Sequence, residues 1–267
     1  MSVLDPLLTD LATETHLLRA AVADLSDQQW QAPTPAPGWT VRDTIGHLAW
    51  TDEAAIASAT DKEAWDALVV TALEDIDHAV DEAAHRVGSD PNLLARWDAG
   101  CARLAEVLRA HEGKIGWFGP PMSPTSMATA RFMETWAHGL DVREALGLPA
   151  VPTDRIRNVC HLGVRTRDFA FGTHNLPSPV EEFGVTLAAP SGDIWTWGPE
   201  EATQTVTGSA WDFARLVTQR IHRSDTDLVA SGPDADRWLD IAQAFAGPPG
   251  EGRAAKGETT IEKERVL

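Results

Sequence analysis

The spacing of apolar residues changes about two-thirds of the way along the chain, and this change constrains the fold more than any other feature. Over residues 1–175 apolar residues recur at helical spacing, as Leu7, Leu11 and Leu18 do in the first segment. Over residues 180–247 the chain instead has short β-like runs, such as FGVTLAAP and DIWTWG around the turn signal PSGD. The sequence therefore predicts a mostly α, α+β protein: a helical bundle followed by a small α+β domain.

Helix-start and helix-stop signals divide the first part into separate helices. Thr40 can cap a helix because Asp43 stands three residues on, and Gly147 with Pro149 ends a later one. Helices are predicted over 5–25, from 40 onward, and over 61–86, 91–112, 126–146 and 153–172. The second part reads strand, strand, strand, helix, strand, helix, and the Gly-, Pro- and charge-rich residues 248–267 are predicted to be a flexible tail.

The charge of the chain disfavours two classes of partner. Lys and Arg number 22 against 40 Asp and Glu, a formal net charge of −18, which repels nucleic-acid phosphates and anionic lipid. No stretch is long enough for a membrane span, and the N-terminus lacks the basic and apolar regions of a secretory signal. Cys101 and Cys160 form no CxxC pair. These features predict a reduced, cytoplasmic protein that acts on small molecules.

The segment METWAHG places Glu134 and His138 four residues apart, on one face of a predicted helix. Such a pair on its own is commonly a solvated surface pair. A third candidate is His47, which lies beside the apolar stripe of the helix that begins at Thr40. If these two helices pack together, the three side chains could meet at one divalent metal.

Two histidines and one carboxylate form a ligand set that leaves coordination positions open. Hydrolytic zinc enzymes and iron oxygenases both use this set, whereas a structural zinc site has four protein ligands. No fourth ligand is evident in the sequence, so water or substrate would complete the shell. Asp141 could accept a hydrogen bond from the His138 ring, although an ordinary surface aspartate is an equal interpretation.

The two motifs together, GWTVRDTIGHLA and ETWAHGLDV, resemble those of the DinB-like metal-binding four-helix bundles, and in particular the family of mycothiol-dependent maleylpyruvate isomerases. The resemblance implies that His47, Glu134 and His138 bind a divalent metal, usually zinc, with iron or nickel as alternatives. It also implies a small sterol-carrier-like C-terminal domain and mycothiol as a co-substrate. In the isomerases an arginine of that domain supports the substrate, which suggests Arg220, with Arg215 and Arg223 as neighbouring alternatives.

The sequence departs from the isomerase pattern in one respect, because Gly139 follows His138 where the isomerases often have a second histidine. The resemblance therefore supports the predicted metal site more strongly than it supports the isomerase reaction itself. The leading hypothesis is a metal-dependent thiol transferase or isomerase that acts on a small electrophile, with a carboxylate as one substrate class. The alternatives are a non-catalytic metal- or ligand-binding module, and a hydrolase or iron-dependent oxidase on the same scaffold. An oligomer is compatible with any of them.

Overall fold

The computed structural model of the protein describes residues 3–75 and 78–257. Contacts divide the chain into two compact units, with the break between Val151 and Pro152. The predicted break lay at residues 175–180. The contacts place it earlier because helices α8 (Arg157–Arg165) and α9 (Arg167–Thr173) pack on helices α10 (Ala210–Val217) and α11 (Pro233–Ile241) of the C-terminal unit.

The N-terminal unit is helical throughout its described regular structure. Its central helix, α3, packs against the other helices except α1, and the first helix, α1, packs on the last, α7. Large apolar side chains such as Ile45, Leu48 and Trp97 fill the space between these helices and are almost completely buried. In chain order the helices are α1 (Leu4–Ala21), α2 (Asp27–Trp30), α3 (Val41–Thr60), α4 (Lys62–Glu74), α5 (Ala79–Gly88), α6 (Leu93–Ala110) and α7 (Pro124–Ala145).

Helix α3 begins at the capping box that the sequence predicted. The Thr40 hydroxyl accepts a hydrogen bond from the Asp43 amide, and the Asp43 carboxylate accepts from the Thr40 amide at 2.9 Å. The same carboxylate lies 2.9 Å from Nδ1 of His85 on α5. The cap therefore fixes both the start of α3 and its contact with α5.

Helices α3 and α5 approach each other so closely that only glycine fits at their crossing. A Cβ atom on Gly46 would lie 2.4 Å from the Ala84 carbonyl oxygen and 2.5 Å from the Gly88 nitrogen. Both neighbours are backbone atoms, which cannot rotate away. Gly46 immediately precedes His47, so this contact sets the position of the histidine relative to α5.

Helix α7 ends as the sequence predicted. Gly147 has a φ of +66°, and the Leu148 amide donates to the Arg143 carbonyl at 2.8 Å. The Gly147 amide donates to the Glu144 carbonyl at 3.1 Å, which completes the Schellman arrangement. These two bonds give donors to backbone carbonyls in the last turn of α7, the helix that carries Glu134 and His138.

The prediction of one helix over residues 61–86 is wrong. Helix α4 ends at Glu74 because Asp75 leaves the helical region, with φ −146° and ψ 76°, and its carbonyl accepts from the amides of His78 and Ala79. Residues 76 and 77 lie outside the described residues. Helix α4 has no buried residue, and Val70 and Leu73 on it are mostly exposed.

The C-terminal unit contains a four-stranded sheet and the helices α8 to α11. Its strands are β1 (Gly184–Ala188), β2 (Ile194–Trp197), β3 (Thr205–Ser209) and β4 (Val229–Ser231), in the order β2-β1-β3-β4. The central pair, β1 and β3, is parallel, with Val185 opposite Val206, and the outer pairs are antiparallel. The predicted order of strands and helices is therefore confirmed.

Two predictions in this unit need qualification. The single helix predicted over 153–172 is a 3-10 turn at Asp154–Ile156 followed by α8 and α9, with the break at Thr166. In the predicted tail, residues 248–257 have neither helix nor strand, and the Lys256 amide donates to Asp225 at 2.9 Å. Residues 258–267 lie outside the described residues.

Among the described residues, no helix has both the length and the apolar character needed to cross a bilayer.

Candidate metal centre

The three histidine and glutamate side chains that the sequence singled out meet in the N-terminal unit. Helix α3 supplies His47, and helix α7 supplies Glu134 and His138 one turn apart. The carboxylate oxygen Glu134 Oε2 lies 3.4 Å from His47 Nε2 and 3.3 Å from His138 Nε2. One ligand atom from each residue falls within 4.8 Å of the other two. The two distant motifs therefore form one cluster.

Two of the separations between these atoms are those expected for ligands of a tetrahedral metal. Ligands about 2.0–2.1 Å from a tetrahedral zinc ion are separated from one another by about 3.4 Å. The separations from Glu134 Oε2 to the two histidine nitrogens match this value, and they lie at the long end for a hydrogen bond between nitrogen and oxygen. Imidazole and carboxylate are also ligands that zinc and iron accept. The residues present thus fit a divalent ion with three protein ligands.

Burial and the local charges set the protonation of the site. His47 and His138 are only 8% and 9% exposed. Burial lowers the pKa of His47 to about 4, against the pull of its hydrogen bond to Glu134. Burial acts to raise the pKa of Glu134, but the hydrogen bonds from His138 and His47 outweigh it and hold that pKa well below its usual range. At neutral pH the cluster therefore offers a neutral His47 imidazole and an ionised carboxylate, as metal binding requires.

The outer nitrogens of the two histidines differ in their surroundings. His138 Nδ1 lies 3.3 Å from Oδ2 of the buried Asp141, one turn further along α7. An acceptor at this position orients a ligating imidazole and makes it more basic. His47 Nδ1 is buried and has no hydrogen-bond partner among the described residues. Of the two rings, therefore, the one with a carboxylate at its outer nitrogen in the described part of the chain is that of His138.

Two tryptophans that the sequence reasoning did not single out flank the cluster. The ring of Trp39 lies 4.9 Å from the His47 ring and 5.6 Å from the His138 ring, between ring centroids. Its Nε1 donates to Asp81 at 2.8 Å. Trp50 lies 6.2 Å from His47, on the same face of α3 and three residues further on. That spacing was the signal in the sequence that could have identified Trp50.

A buried ion pair next to the cluster was also not predicted. The guanidinium of Arg131 donates from Nε to Asp52 Oδ1 at 2.8 Å, and from Nη2 to the Leu48 carbonyl at 3.4 Å. Asp52 Oδ2 in turn accepts from the thiol of Cys101 at 3.4 Å. Arg131 stands three residues before Glu134 on α7, so this pair connects the two helices that supply the candidate ligands.

The candidate substrate residue Arg220 lies in the C-terminal unit, just after α10. Its Nη1 donates to the Thr218 carbonyl at 2.6 Å. The two neighbouring arginines are each paired with carboxylates: Arg215 with Asp212, and Arg223 with Asp236 and Asp240. Arg223 also donates to the Asp236 backbone carbonyl, at 2.9 Å, so all three arginines have polar partners.

Comparison with known proteins gives close relatives along nearly the whole chain. Two uncharacterized proteins, from two strains of Mycobacterium tuberculosis, are each 53% identical over 252 residues. The match covers 93% of this chain and 98% of each relative.

The fold is shared with solved structures of lower sequence similarity. Two crystal structures of the mycothiol-dependent maleylpyruvate isomerase, one of them a histidine-to-alanine variant, superpose with TM-scores of 0.55 and 0.56 at 16% and 17% identity. Each match covers 87% of this chain and 96% of the other. The family model described as the mycothiol maleylpyruvate isomerase N-terminal domain matches residues 11–143, which include all three candidate ligands. The motifs and the family model agree, and the chain belongs to the family defined by the mycothiol maleylpyruvate isomerase N-terminal domain, which it carries over residues 11–143.

Proposed function

We propose that this protein is a metal-dependent enzyme that uses a low-molecular-weight thiol of the mycothiol type to isomerise, or to add to, a small electrophile. The observation that carries the proposal is the convergence of His47, Glu134 and His138, whose ligand atoms lie within 4.8 Å of one another. The crystal structures with the same fold are of a mycothiol-dependent isomerase, which supports the choice of thiol.

Each residue of the cluster has a defined part in this proposal. His47, Glu134 and His138 would hold the ion, with zinc as the first choice and iron or nickel as alternatives. A bound divalent ion would lower the pKa of a coordinated thiol and polarise a carbonyl. Burial keeps His47 neutral, so its lone pair is available for binding, and Asp141 holds the His138 ring by its outer nitrogen. Three protein ligands leave room for a thiol or a substrate oxygen.

The state of the two cysteines supports an external thiol. Burial raises the pKa of the Cys101 thiol, as does the neighbouring Asp52 carboxylate. Burial likewise raises the pKa of Cys160, which is completely buried. Neither side chain is a thiolate at neutral pH, and the thiolate is the nucleophilic form of cysteine. A nucleophilic sulfur would therefore come from a co-substrate.

Arg220 is the proposed ligand for a carboxylate on the substrate. Its guanidinium offers paired donors that match a carboxylate in geometry. The choice of Arg220 rests on the resemblance to the isomerases, in which an arginine of the C-terminal domain supports the substrate. We expect Arg220→Met to raise KM for a carboxylate substrate about tenfold or more, with metal content unchanged. Unchanged kinetics in this variant would remove Arg220 from the proposal.

Elemental analysis of the purified protein tests the metal. We expect close to one divalent ion per chain in the wild type, and less than a tenth of that in His47→Ala and in His138→Ala. His16→Ala is the matched control, because His16 is an exposed histidine of the same unit. Full metal content in both ligand variants would overturn the site. Circular dichroism of each variant shows whether the helical fold is retained.

Turnover with and without thiol separates the proposed enzyme from the alternative functions. We expect the metal-loaded protein to isomerise or conjugate an α,β-unsaturated carbonyl compound only when mycothiol is supplied. Hydrolysis without thiol would instead favour a metal-dependent hydrolase, and oxygen consumption by the iron form would favour an oxidase. Stoichiometric metal without any turnover would favour a binding module.

A further inference from the structure

A continuous row of aromatic rings runs outward from the candidate metal centre. The ring of Trp50, 6.2 Å from His47, stacks on Phe118 at 5.8 Å and an interplanar angle of 28°. Phe118 contacts Trp65 at 5.0 Å, and Trp65 stacks on Trp117 at 6.4 Å and 10°. Three separate elements contribute these rings: α3, α4 and the loop before α7. We refer to Trp50, Trp65, Trp117 and Phe118 as the aromatic row.

The loop that carries Trp117 and Phe118 is anchored at its base. Ile115 is completely buried, and its backbone exchanges two hydrogen bonds with Met122, at 2.8 and 2.9 Å. The Ser58 hydroxyl of α3 donates to the Gly116 carbonyl at 2.8 Å. Pro120 and Pro121 further restrict the backbone between these anchors. The loop therefore presents its two rings in a fixed position.

Packing alone explains some members of the row better than others. Trp50 is a core residue, 7% exposed, and belongs to a buried apolar cluster of the N-terminal unit. Trp65 and Trp117 are partly buried, and Phe118 is 41% exposed although it lies on an anchored loop. An exposed phenylalanine held rigidly against other rings leaves apolar surface in water. A ligand that covers this surface would remove the unfavourable exposure.

We propose that the aromatic row is a binding subsite for a planar, apolar group of the substrate, such as an aryl ring conjugated to the electrophilic double bond. The reacting carbon would lie at His47, Glu134 and His138, and the ring would lie on Phe118. This inference rests on the proposed function, because it assigns the substrate class of that same site. The four side chains carry no charge and offer flat faces, so they select shape and apolar area.

In the absence of thiol, a pair of carboxylates that differ only in the ring tests this subsite. Trans-cinnamate and crotonate share the carboxylate and the double bond, but cinnamate has a phenyl group where crotonate has a methyl group. Isothermal titration calorimetry of both, on the metal-free and the zinc-loaded full chain, measures the preference directly. We expect cinnamate to bind about tenfold more tightly than crotonate in both forms. One well-placed aromatic contact contributes about 2- to 10-fold in affinity beyond the effect of the area that it buries.

Variants at Phe118 assign the preference to the row. We expect Phe118→Ala to weaken cinnamate binding about 3- to 10-fold without changing crotonate binding. Phe118→Leu keeps apolar volume without a ring and should give an intermediate loss. Phe169→Ala is the matched control, because Phe169 is a similarly exposed phenylalanine, 37%, on α9. It should leave the binding of both probes unchanged.

Three outcomes would overturn the subsite: equal affinities for the two probes in the wild type, no measurable cinnamate binding, or the same affinity in Phe118→Ala as in Phe169→Ala. A failure of the metal proposal has a different signature. It shows as full metal content in the ligand variants, while cinnamate is still preferred in the metal-free protein. If Phe118→Ala does not fold, the Phe118→Leu variant and the preference of the wild type for cinnamate over crotonate still test the subsite.

Discussion

Arg131 on α7 and Asp52 on α3 form an ion pair in which the side chains are only 1% and 6% exposed. Arg131 lies three residues before Glu134, and Asp52 lies five residues after His47. The pair therefore holds together the two helices whose separation decides whether the candidate ligands can share one ion. The second hydrogen bond of Arg131, to the Leu48 carbonyl, anchors it to the α3 backbone next to His47.

Removal of the carboxylate from this pair should destabilise the protein strongly. Asp52→Asn leaves the Arg131 charge buried without a counter-ion, and loss of one partner of a buried pair costs about 3–5 kcal/mol. Urea denaturation of the metal-free protein measures the loss in the free energy of unfolding. Asp98→Asn is the control, because Asp98 pairs with Arg19 at the surface and such pairs contribute about 0.2–1 kcal/mol. Equal effects of the two substitutions would contradict the importance of the buried pair.

Two helical glycines should respond to alanine in opposite directions. A Cβ atom on Gly46 would meet backbone atoms at 2.4 and 2.5 Å, so Gly46→Ala must push α5 from α3 and should cost about 1–3 kcal/mol. A Cβ atom on Gly139 would meet only a Leu18 methyl at 3.9 Å, so Gly139→Ala should gain up to about 1 kcal/mol from helix propensity. Thermal unfolding of both variants compares them. Destabilisation by Gly139→Ala of the same size as that by Gly46→Ala would contradict this prediction.

Asp141 should influence the metal through the histidine that it supports. Asp141→Asn keeps the size of the side chain but removes its charge from behind His138 Nδ1, so we expect zinc affinity to fall about 10- to 100-fold. Competition with a chromophoric chelator measures the dissociation constant. Glu144→Gln, an exposed change on the same helix, should leave the affinity within about twofold of the wild type. An Asp141→Asn protein with wild-type affinity would make Asp141 a purely structural residue.

The depressed pKa of His47 should make the metal-free protein sensitive to mild acid. The folded protein holds this pKa at about 4, whereas an unfolded histidine titrates near 6.5, so the unfolded state binds more protons between these values. Stability should therefore fall as the pH drops from 6.5 to 4, by about 3 kcal/mol from this group. The contribution of Glu134, whose pKa is depressed, is lost only below its unfolded value near 4.5.

Denaturation of the metal-free protein at a series of pH values measures this dependence. His47→Gln cannot titrate and should flatten the slope between pH 6.5 and 4. His16→Gln, at an exposed position on α1, should leave that slope unchanged. A slope that survives in His47→Gln would assign the acid sensitivity to other groups.

Much of the fold could be predicted from local sequence patterns. The capping box at Thr40, the left-handed Gly147 and the alternation of short strands all have local causes, and the structure confirms each of them. The breaks within the predicted helices at Asp75 and Thr166 were missed because the helical periodicity continues across them. The parallel pairing of β1 with β3 depends on contacts between distant segments, which periodicity does not report.

Of the candidate site, only the three candidate ligands could be predicted. His47, Glu134 and His138 belong to two motifs whose combination is specific, and the structure brings them together. Arg131 and Asp52 were missed because nothing local distinguishes a buried arginine or aspartate from the many exposed ones. Their role depends on the packing of α3 against α7, which becomes visible only in three dimensions.

The loop that carries Trp117 and Phe118 is closed at its base by the bridge between Ile115 and Met122. Residues 116–121 lie between these anchors, and α7 with its candidate ligands begins only at Pro124. Substitutions at the two ring positions therefore change the surface that the loop presents without changing the helix that supplies Glu134 and His138. Members of the family could then differ in the molecules that they bind at this loop while they keep the residues of the candidate metal centre.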